Sequence, residues 1–331
     1  MKKIITSSMV FWILIAGCTK TSITESNPAP DSDPQQVTQR TCASFEMFTA
    51  QVAADPSLMQ RREVLEAFTK NVISNRSVNS LGGVTITIPV VVNVLYNSPA
   101  ENISTEQVQS QIDVLNEDYN KRNRDVSGVP SLFRTLVGNV GVNFVLSQVV
   151  RQFTSKKSWP VNNGMKKSSS GGIDATDPEH KLNIWSCNLA KGTLGFAYYP
   201  ETIAPANDGV VILYSAFGSR DKYPAGTYLN DYDLGRTATH EVGHWMNLAH
   251  IWGDDGSSCS GSDFVDDTPN QASLNFGCPV FPHVSCNNQG DMSMNYMDYT
   301  DDACMFMFSK GQRDRMLAVF TPGGPRAGYI Q

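Results

Sequence analysis

The chain has 331 residues, 18% of them charged and 40% hydrophobic, with a formal net charge of −6. That length holds one catalytic-sized domain plus a small extra segment, and no internal repeat argues for an array. With no basic stripe, nucleic acid is excluded as a partner, and beyond the extreme N-terminus no apolar span is long enough for a membrane helix.

Residues 1–18 open on Met1-Lys2-Lys3, run through an apolar stretch over 9–16 and end Ile15-Ala16-Gly17-Cys18. A basic start and a short apolar core predict a secretory signal, and the small residues before Cys18 resemble a bacterial lipobox, making Cys18 the lipidated first residue. The alternative is an ordinary signal peptide in which Cys18 is incidental. Residues 19–39 are rich in Thr, Ser, Pro, Asp and Gln, cannot bury a core and read as a flexible tether. Over 40–76 the pattern turns helical: Phe45, Phe48, Leu58, Val64, Leu65 and Phe68 are spaced for one or two amphipathic helices divided by Pro56. The polar stretch 74–80 around Arg76 has the character of a loop open to proteolysis, which sets the start of a catalytic domain over 77–331.

That domain opens as α/β. Residues 84–95 form a β-branched run and the strongest strand candidate; 140–150, 181–185, 194–198 and 210–214 are further strands. Residues 104–120 predict a helix with Ser104 as N-cap and Gln107 three positions on, the spacing of a capping box.

The sequence His-Glu-Val-Gly-His-Trp-Met-Asn-Leu-Ala-His over 240–250 holds three of the five histidines. Four apart on a helix, His240 and His244 share a face with Glu241 beside them. His250 can join them only if the helix ends first, and Asn247 sits where left-handed backbone would turn the chain. Three neutral imidazoles leave one position of a zinc ion open, the arrangement of a catalytic and not a structural site, with Glu241 as general base. Downstream, Asp254, Asp255, Asp263, Asp266 and Asp267 crowd one loop, where a hard cation such as calcium would relieve their repulsion; a solvated acidic loop is the alternative. Asp301 and Asp302 come later, and an unpaired carboxylate there would favour a basic substrate side chain, or cap the next turn.

Seven cysteines in an exported chain predict disulfides. Cys259, Cys278, Cys286 and Cys304 lie in a loop-rich region that needs them, with three pairings possible. Cys187, within an apolar strand, reads as a buried free thiol. Cys42 is either half of a disulfide or a free ligand.

The 240–250 motif resembles the metzincin signature, with Asn247 in its glycine position. Together with the block over 295–316, which opens Asn-Tyr-Met-Asp-Tyr, it makes the chain resemble the pappalysin family of metzincin zinc metallopeptidases, in its ulilysin-like branch. The words Asp263-Phe264-Val265-Asp266-Asp267-Thr268-Pro269, Leu182-Asn183-Ile184-Trp185 and Gly192-Thr193-Leu194-Gly195-Phe196 fit the same family. The resemblance implies an α+β metzincin fold: a twisted, mostly parallel sheet with backing helices and an active-site helix, then an irregular disulfide-stapled lower part. It implies Met297 as the Met-turn residue, Tyr299 as stabiliser of the oxyanion, calcium on Asp263, Asp267 and Thr268, and the pairs Cys259–Cys286 and Cys278–Cys304. It further implies an extended substrate paired with the strand between Gly195 and Pro200, a preference for Arg or Lys near the cut with Asp302 as candidate, and a latent form in which Cys42 closes the zinc site. The expectation is a monomeric, exported zinc endopeptidase made as a zymogen, acting on protein or peptide substrates and touching the membrane only through its lipid anchor. The alternatives are a zinc amidase on a non-protein substrate and an inactive binding protein on the same scaffold.

Overall fold

The computed structural model describes residues 37–75, 77–78 and 86–329. The signal over 1–18 with Cys18, most of the 19–39 tether and the expected cut at Arg76 lie outside the described residues. Among the described residues no helix is long and apolar enough to cross a membrane.

The N-terminal segment folds as α1 (Ser44–Ala54) and α2 (Ser57–Ser74). Asp55 is extended between them and Pro56 starts the second, as a residue without an N–H does best at a helix beginning. The inward face of α2 is Leu58, Arg62, Leu65, Thr69 and Val72, a spacing of three and four that keeps them on one side. Val64 and Phe45 depart from the expected stripe: Val64 is 65% exposed and Phe45 36%. Val64 falls next to the inward Leu65, about 100° round the helix from it.

Five strands follow, β1 (Ile86–Tyr96), β2 (Val142–Phe153), β3 (Leu182–Cys187), β4 (Gly195–Ala197) and β5 (Val210–Leu213). Their order in the sheet is β2-β1-β3-β5-β4. All neighbours are parallel except β4, which runs antiparallel to β5 at one edge. β1 sits between β2 and β3 and is buried on both faces from Val90 to Leu95, which is why it reads as a continuous apolar run and not an alternation. β2, at the other edge, carries exposed residues along much of its length.

Helix α3 (Thr105–Asp118) packs on the sheet, and Ser104 caps it by accepting from Gln107 N at 3.1 Å. The capping box stays half formed. The Gln107 amide instead donates to Phe217 O and Thr227 O, tying down the loop after β5. Helix α4 (Arg236–Trp245) crosses behind β4 and β5. Its start is anchored to α3 by a buried cluster: Arg236 pairs with Asp118 and Asp125, and Thr239 Oγ1 donates to Asp118 at 2.6 Å.

From α4 to α5 (Lys310–Ala318) the chain is largely irregular. Disulfides Cys259–Cys286 and Cys278–Cys304 staple it, and Ser309 and Gln312 form a complete capping box at the start of α5. Cys42 and Cys187 are free and buried.

Candidate active site and metal centre

Helix α4 is buried along its whole length and carries His240, Glu241 and His244. It has to stop in time for His250 to come back, and the stop is local. Asn247 takes φ +77° and Leu248 N reaches back to Gly243 O at 2.9 Å, a left-handed helix end that a short polar side chain tolerates. Gly243 leaves room on the way: a Cβ there would stand 2.6 Å from Met297 Sδ, so the methionine lies directly under the helix.

Each imidazole is fixed through its Nδ1. His240 Nδ1 donates to Tyr296 O at 2.7 Å, His244 Nδ1 to Leu248 O at 2.8 Å, and His250 Nδ1 meets Asp254 Oδ1 at 2.7 Å. Carbonyls only accept, so the protons of His240 and His244 sit on Nδ1 and their Nε2 atoms present lone pairs. Those lone pairs face one another: His244 Nε2 is 3.1 Å from both His240 Nε2 and His250 Nε2. Two nitrogens about 2.05 Å from a shared ion at near-tetrahedral angles stand about 3.1–3.4 Å apart, so the trio fits zinc. Burial, above all, holds His240 and His244 well below the usual imidazole range, with the neighbouring rings acting in the same direction, so both are in the neutral form that binds metal.

Cys42 completes the group. Its sulfur and the three imidazoles have ligand atoms all within 4.8 Å of one another. The backbone delivers it: residues 41–43 add to the free edge of β4, with Leu194 N donating to Thr41 O at 2.9 Å and Ala43 N to Gly195 O at 3.1 Å. Cys42 Sγ also lies 3.3 Å from Glu241 Oε2, and Ser44 Oγ donates to the same oxygen at 3.0 Å. Burial pushes the Glu241 carboxyl up to about 7 against those two hydrogen bonds. Glu241 presses on β4 so closely that a Cβ at Gly195 would meet its Cγ at 2.9 Å.

Tyr299 stands on the other side, its ring centroid 5.7 Å from that of His240 and 5.1 Å from that of His250, and its hydroxyl donates to Cys42 O at 3.0 Å. Asp302 is fully buried and faces two ways. Oδ2 accepts from Leu234 N and Arg236 N at the start of α4, while Oδ1 accepts from Arg40 at 2.5 Å. Arg40 is itself buried and also bonds Thr300 O and Thr237 Oγ1. Asp302 is thus paired within the chain, with the start of α4 through one oxygen and with Arg40 through the other.

The acidic loop is not drawn together around one point. Asp263 accepts from Thr268 Oγ1 at 2.7 Å and from Val265 N at 3.1 Å, and burial pushes it up to about 7. Asp267 turns instead to α5, accepting from Ser309 Oγ at 2.5 Å and Gly311 N at 2.9 Å. Asp254 serves His250, and Asp255 gathers Ser258, Ser260 and Gly261.

Sequence reasoning gave no role of their own to Arg40, Ser44, Tyr199 or Trp252, and it placed Asp254 among the acids of a cation-binding loop, whereas Asp254 serves His250. Trp252 stacks on His250 at 4.4 Å, and the Tyr199 ring lies edge-on to His244 at 5.5 Å. Asp254 had a readable signal, an acid four residues past a metal-ligand candidate, because ligating histidines hand their second N–H to such groups. The others depend on contacts between distant segments.

The family model of M43 peptidases, described as pregnancy-associated plasma protein-A, matches residues 168–321. An extracellular metalloprotease of Coccidioides posadasii is 37% identical over 229 residues, covering 66% of this chain and 70% of its own length. A second, from Arthroderma benhamiae, is 36% identical over 243 residues, 70% of this chain and 71% of its own. The chain belongs to the pappalysin family, M43. Among solved structures, mirolysin in complex with compound 9 superposes with a TM-score of 0.72 at 46% identity, over 75% of this chain and 97% of that one. A Tannerella forsythia promirolysin variant superposes at 0.80 with 42% identity, over 88% of this chain and 97% of that one. The family's metzincin fold is the one described above, and family membership implies a catalytic zinc and metalloendopeptidase activity.

Proposed function

We propose that this chain is the zymogen of an exported zinc endopeptidase in which His240, His244 and His250 hold the metal and Glu241 does the proton chemistry. The observation that carries it is the convergence of the Nε2 lone pairs, each ring locked by an acceptor at Nδ1. When bound, zinc supplies Lewis-acid polarisation of the scissile carbonyl and of a water molecule. The Glu241 carboxylate takes the proton of the attacking water and hands it to the leaving amine. The Tyr299 hydroxyl, released from Cys42 O, donates to the oxyanion that forms at the carbonyl. Met297 packs under the ligands and keeps α4 at its distance.

Residues 40–76 act as the latency segment, with Cys42, its thiol proton lost, as fourth ligand and Glu241 held by Ser44. The wider superposition with promirolysin, over 88% of this chain, than with mature mirolysin in complex with a cleaved peptide, over 74%, supports this reading. Arg40 in the Asp302 pocket stands in for a substrate side chain, which supports a preference for Arg or Lys beside the scissile bond. The names of the extracellular relatives support export, with the membrane reached through a lipidated Cys18. Calcium near Asp263, Asp267 and Thr268 would relieve the burial cost that Asp263 carries; a calcium-selective chelator should lower the melting temperature, and indifference to it removes this part.

The test compares the full-length chain, its Cys42→Ala variant and the processed enzyme on casein, with and without a zinc chelator. Activity is expected in the processed enzyme, abolished by chelation, with Cys42→Ala activating faster than the parent. Chelator-resistant cleavage, or none by processed enzyme, overturns the proposal.

A further inference from the structure

Asn247 does more than turn the backbone. Glycine would satisfy φ +77° without a side chain, yet the Asn247 side chain is fully buried and hydrogen-bonded at both ends. Its Oδ1 accepts from Arg62 and its Nδ2 donates to Thr69 Oγ1 at 3.4 Å. Both partners come from α2, seven residues apart and so on one face two turns along. The backbone carbonyl of Asn247 is held from below by Arg315 Nε at 2.7 Å. Arg315 then forks onto Glu66 of α2 at 2.5 and 2.6 Å, and Glu66 also meets Arg62 at 3.1 Å. Arg62 lies 4.5 Å over the Tyr199 ring, whose edge faces the metal ligand His244.

An apolar stripe alone would pack α2. The polar pair Arg62 and Thr69 interrupts that stripe and is 9% and 1% exposed, respectively; burying such groups is costly unless each finds its partner. The catalytic domain offers those partners at one place. We infer that the surface formed by Asn247, Arg315 and Tyr199 is a dedicated recognition site for α2, a second anchor of the N-terminal segment that works independently of the Cys42–metal contact. This rests on the reading of residues 40–76 as the latency segment for its biological sense, though the anchor itself is a binding claim.

The test uses the full-length, zinc-loaded chain carrying Glu241→Gln to prevent self-cleavage. Alkylation of Cys42 by N-ethylmaleimide, followed by peptide mass spectrometry, reports lifting of the segment, and buried Cys187 in β3 reports on the integrity of the sheet. Arg62→Met and Asn247→Gly are each expected to raise Cys42 labelling about ten-fold or more, with Cys187 still protected. The double variant should label faster than either single one by clearly less than the product of their factors, since the two share the Arg62–Asn247 hydrogen bond while Arg62 also meets Glu66 and Asn247 also meets Thr69. In the parent, zinc chelation should leave Cys42 largely protected. Unchanged labelling in Arg62→Met, multiplying effects in the double variant, or joint exposure of both thiols in Arg62→Met and in the milder Thr69→Val overturns the inference. The latency reading fails separately: a full-length chain with native Glu241 that cleaves peptides while Cys42 stays protected would refute latency and leave the anchor standing.

Discussion

Replacing Asp302 by Asn should invert the charge preference of the processed enzyme. The side chain has two engagements that an amide cannot both keep. Oδ2 accepts from two backbone N–H groups at the start of α4, and Oδ1 accepts from a guanidinium at 2.5 Å. The single oxygen of Asn is claimed by the helix start, so its NH2 group points at the incoming base and donor meets donor. A hydrogen bond to a charged group contributes about 1.5–3 kcal/mol, and leaving a buried cation without its partner adds to the loss. About 3 kcal/mol is the expected deficit for an arginine substrate, or roughly a hundred-fold in kcat/KM. Quenched-fluorescence peptides that differ only in Arg or citrulline after the scissile bond provide the assay, because citrulline keeps the shape, loses the charge and gains an acceptor. The parent should prefer Arg and Asp302→Asn should prefer citrulline. An unchanged Arg-to-citrulline ratio refutes the pocket assignment.

Glu241→Gln should retain zinc, since no ligand is touched, while turnover falls by about 10²–10⁴-fold, the usual share of a general base; loss of the metal by this variant would contradict the division of roles. Gly243→Ala places a methyl 2.6 Å from Met297 Sδ and should cost about 1–3 kcal/mol by overpacking, seen as a lower melting temperature; an unchanged one would mean that Met297 is free to move away. Lys166 is buried beneath Trp185, Phe196 and Tyr198, and burial lowers it to about 7. Because its folded value lies below its unfolded one, its contribution to stability is complete above the unfolded value and is lost as pH falls through about 7. The stability of the parent relative to Lys166→Met should therefore rise between pH 7 and 10, and parallel melting curves would contradict the assignment.

The metal motif was legible because its geometry is local. His240 and His244 are one helical turn apart, and the left-handed residue that brings His250 back is written at Asn247. The sheet was legible for the same kind of reason: a parallel strand covered on both faces, such as β1, must be apolar throughout. Strand ends were less so, since β2 continues to Phe153 as an exposed edge whose polar residues carry no inward signal. Gln107 occupies the capping-box position at α3, yet its amide is taken by Phe217 and Thr227, more than a hundred residues away. The complete box at Ser309 and Gln312 carries the same local signature and could have been read. Roles for Tyr299, Met297 and the disulfide pairs came from family resemblance, since no local pattern selects them. The pairing of Arg40 with Asp302 and of Arg62 with Asn247 joins segments far apart in sequence, and only the folded chain brings them together.

The central claim is a single zinc ion on three imidazoles that a thiolate closes in the full-length chain and that opens on processing. X-ray absorption at the zinc edge tests it directly on protein of known metal content. Full-length material should hold one zinc with three nitrogen neighbours near about 2.0 Å and one sulfur near about 2.3 Å, and processed enzyme should keep the nitrogens and lose the sulfur. Absence of stoichiometric zinc, or fewer than three imidazole nitrogens around it, contradicts the account.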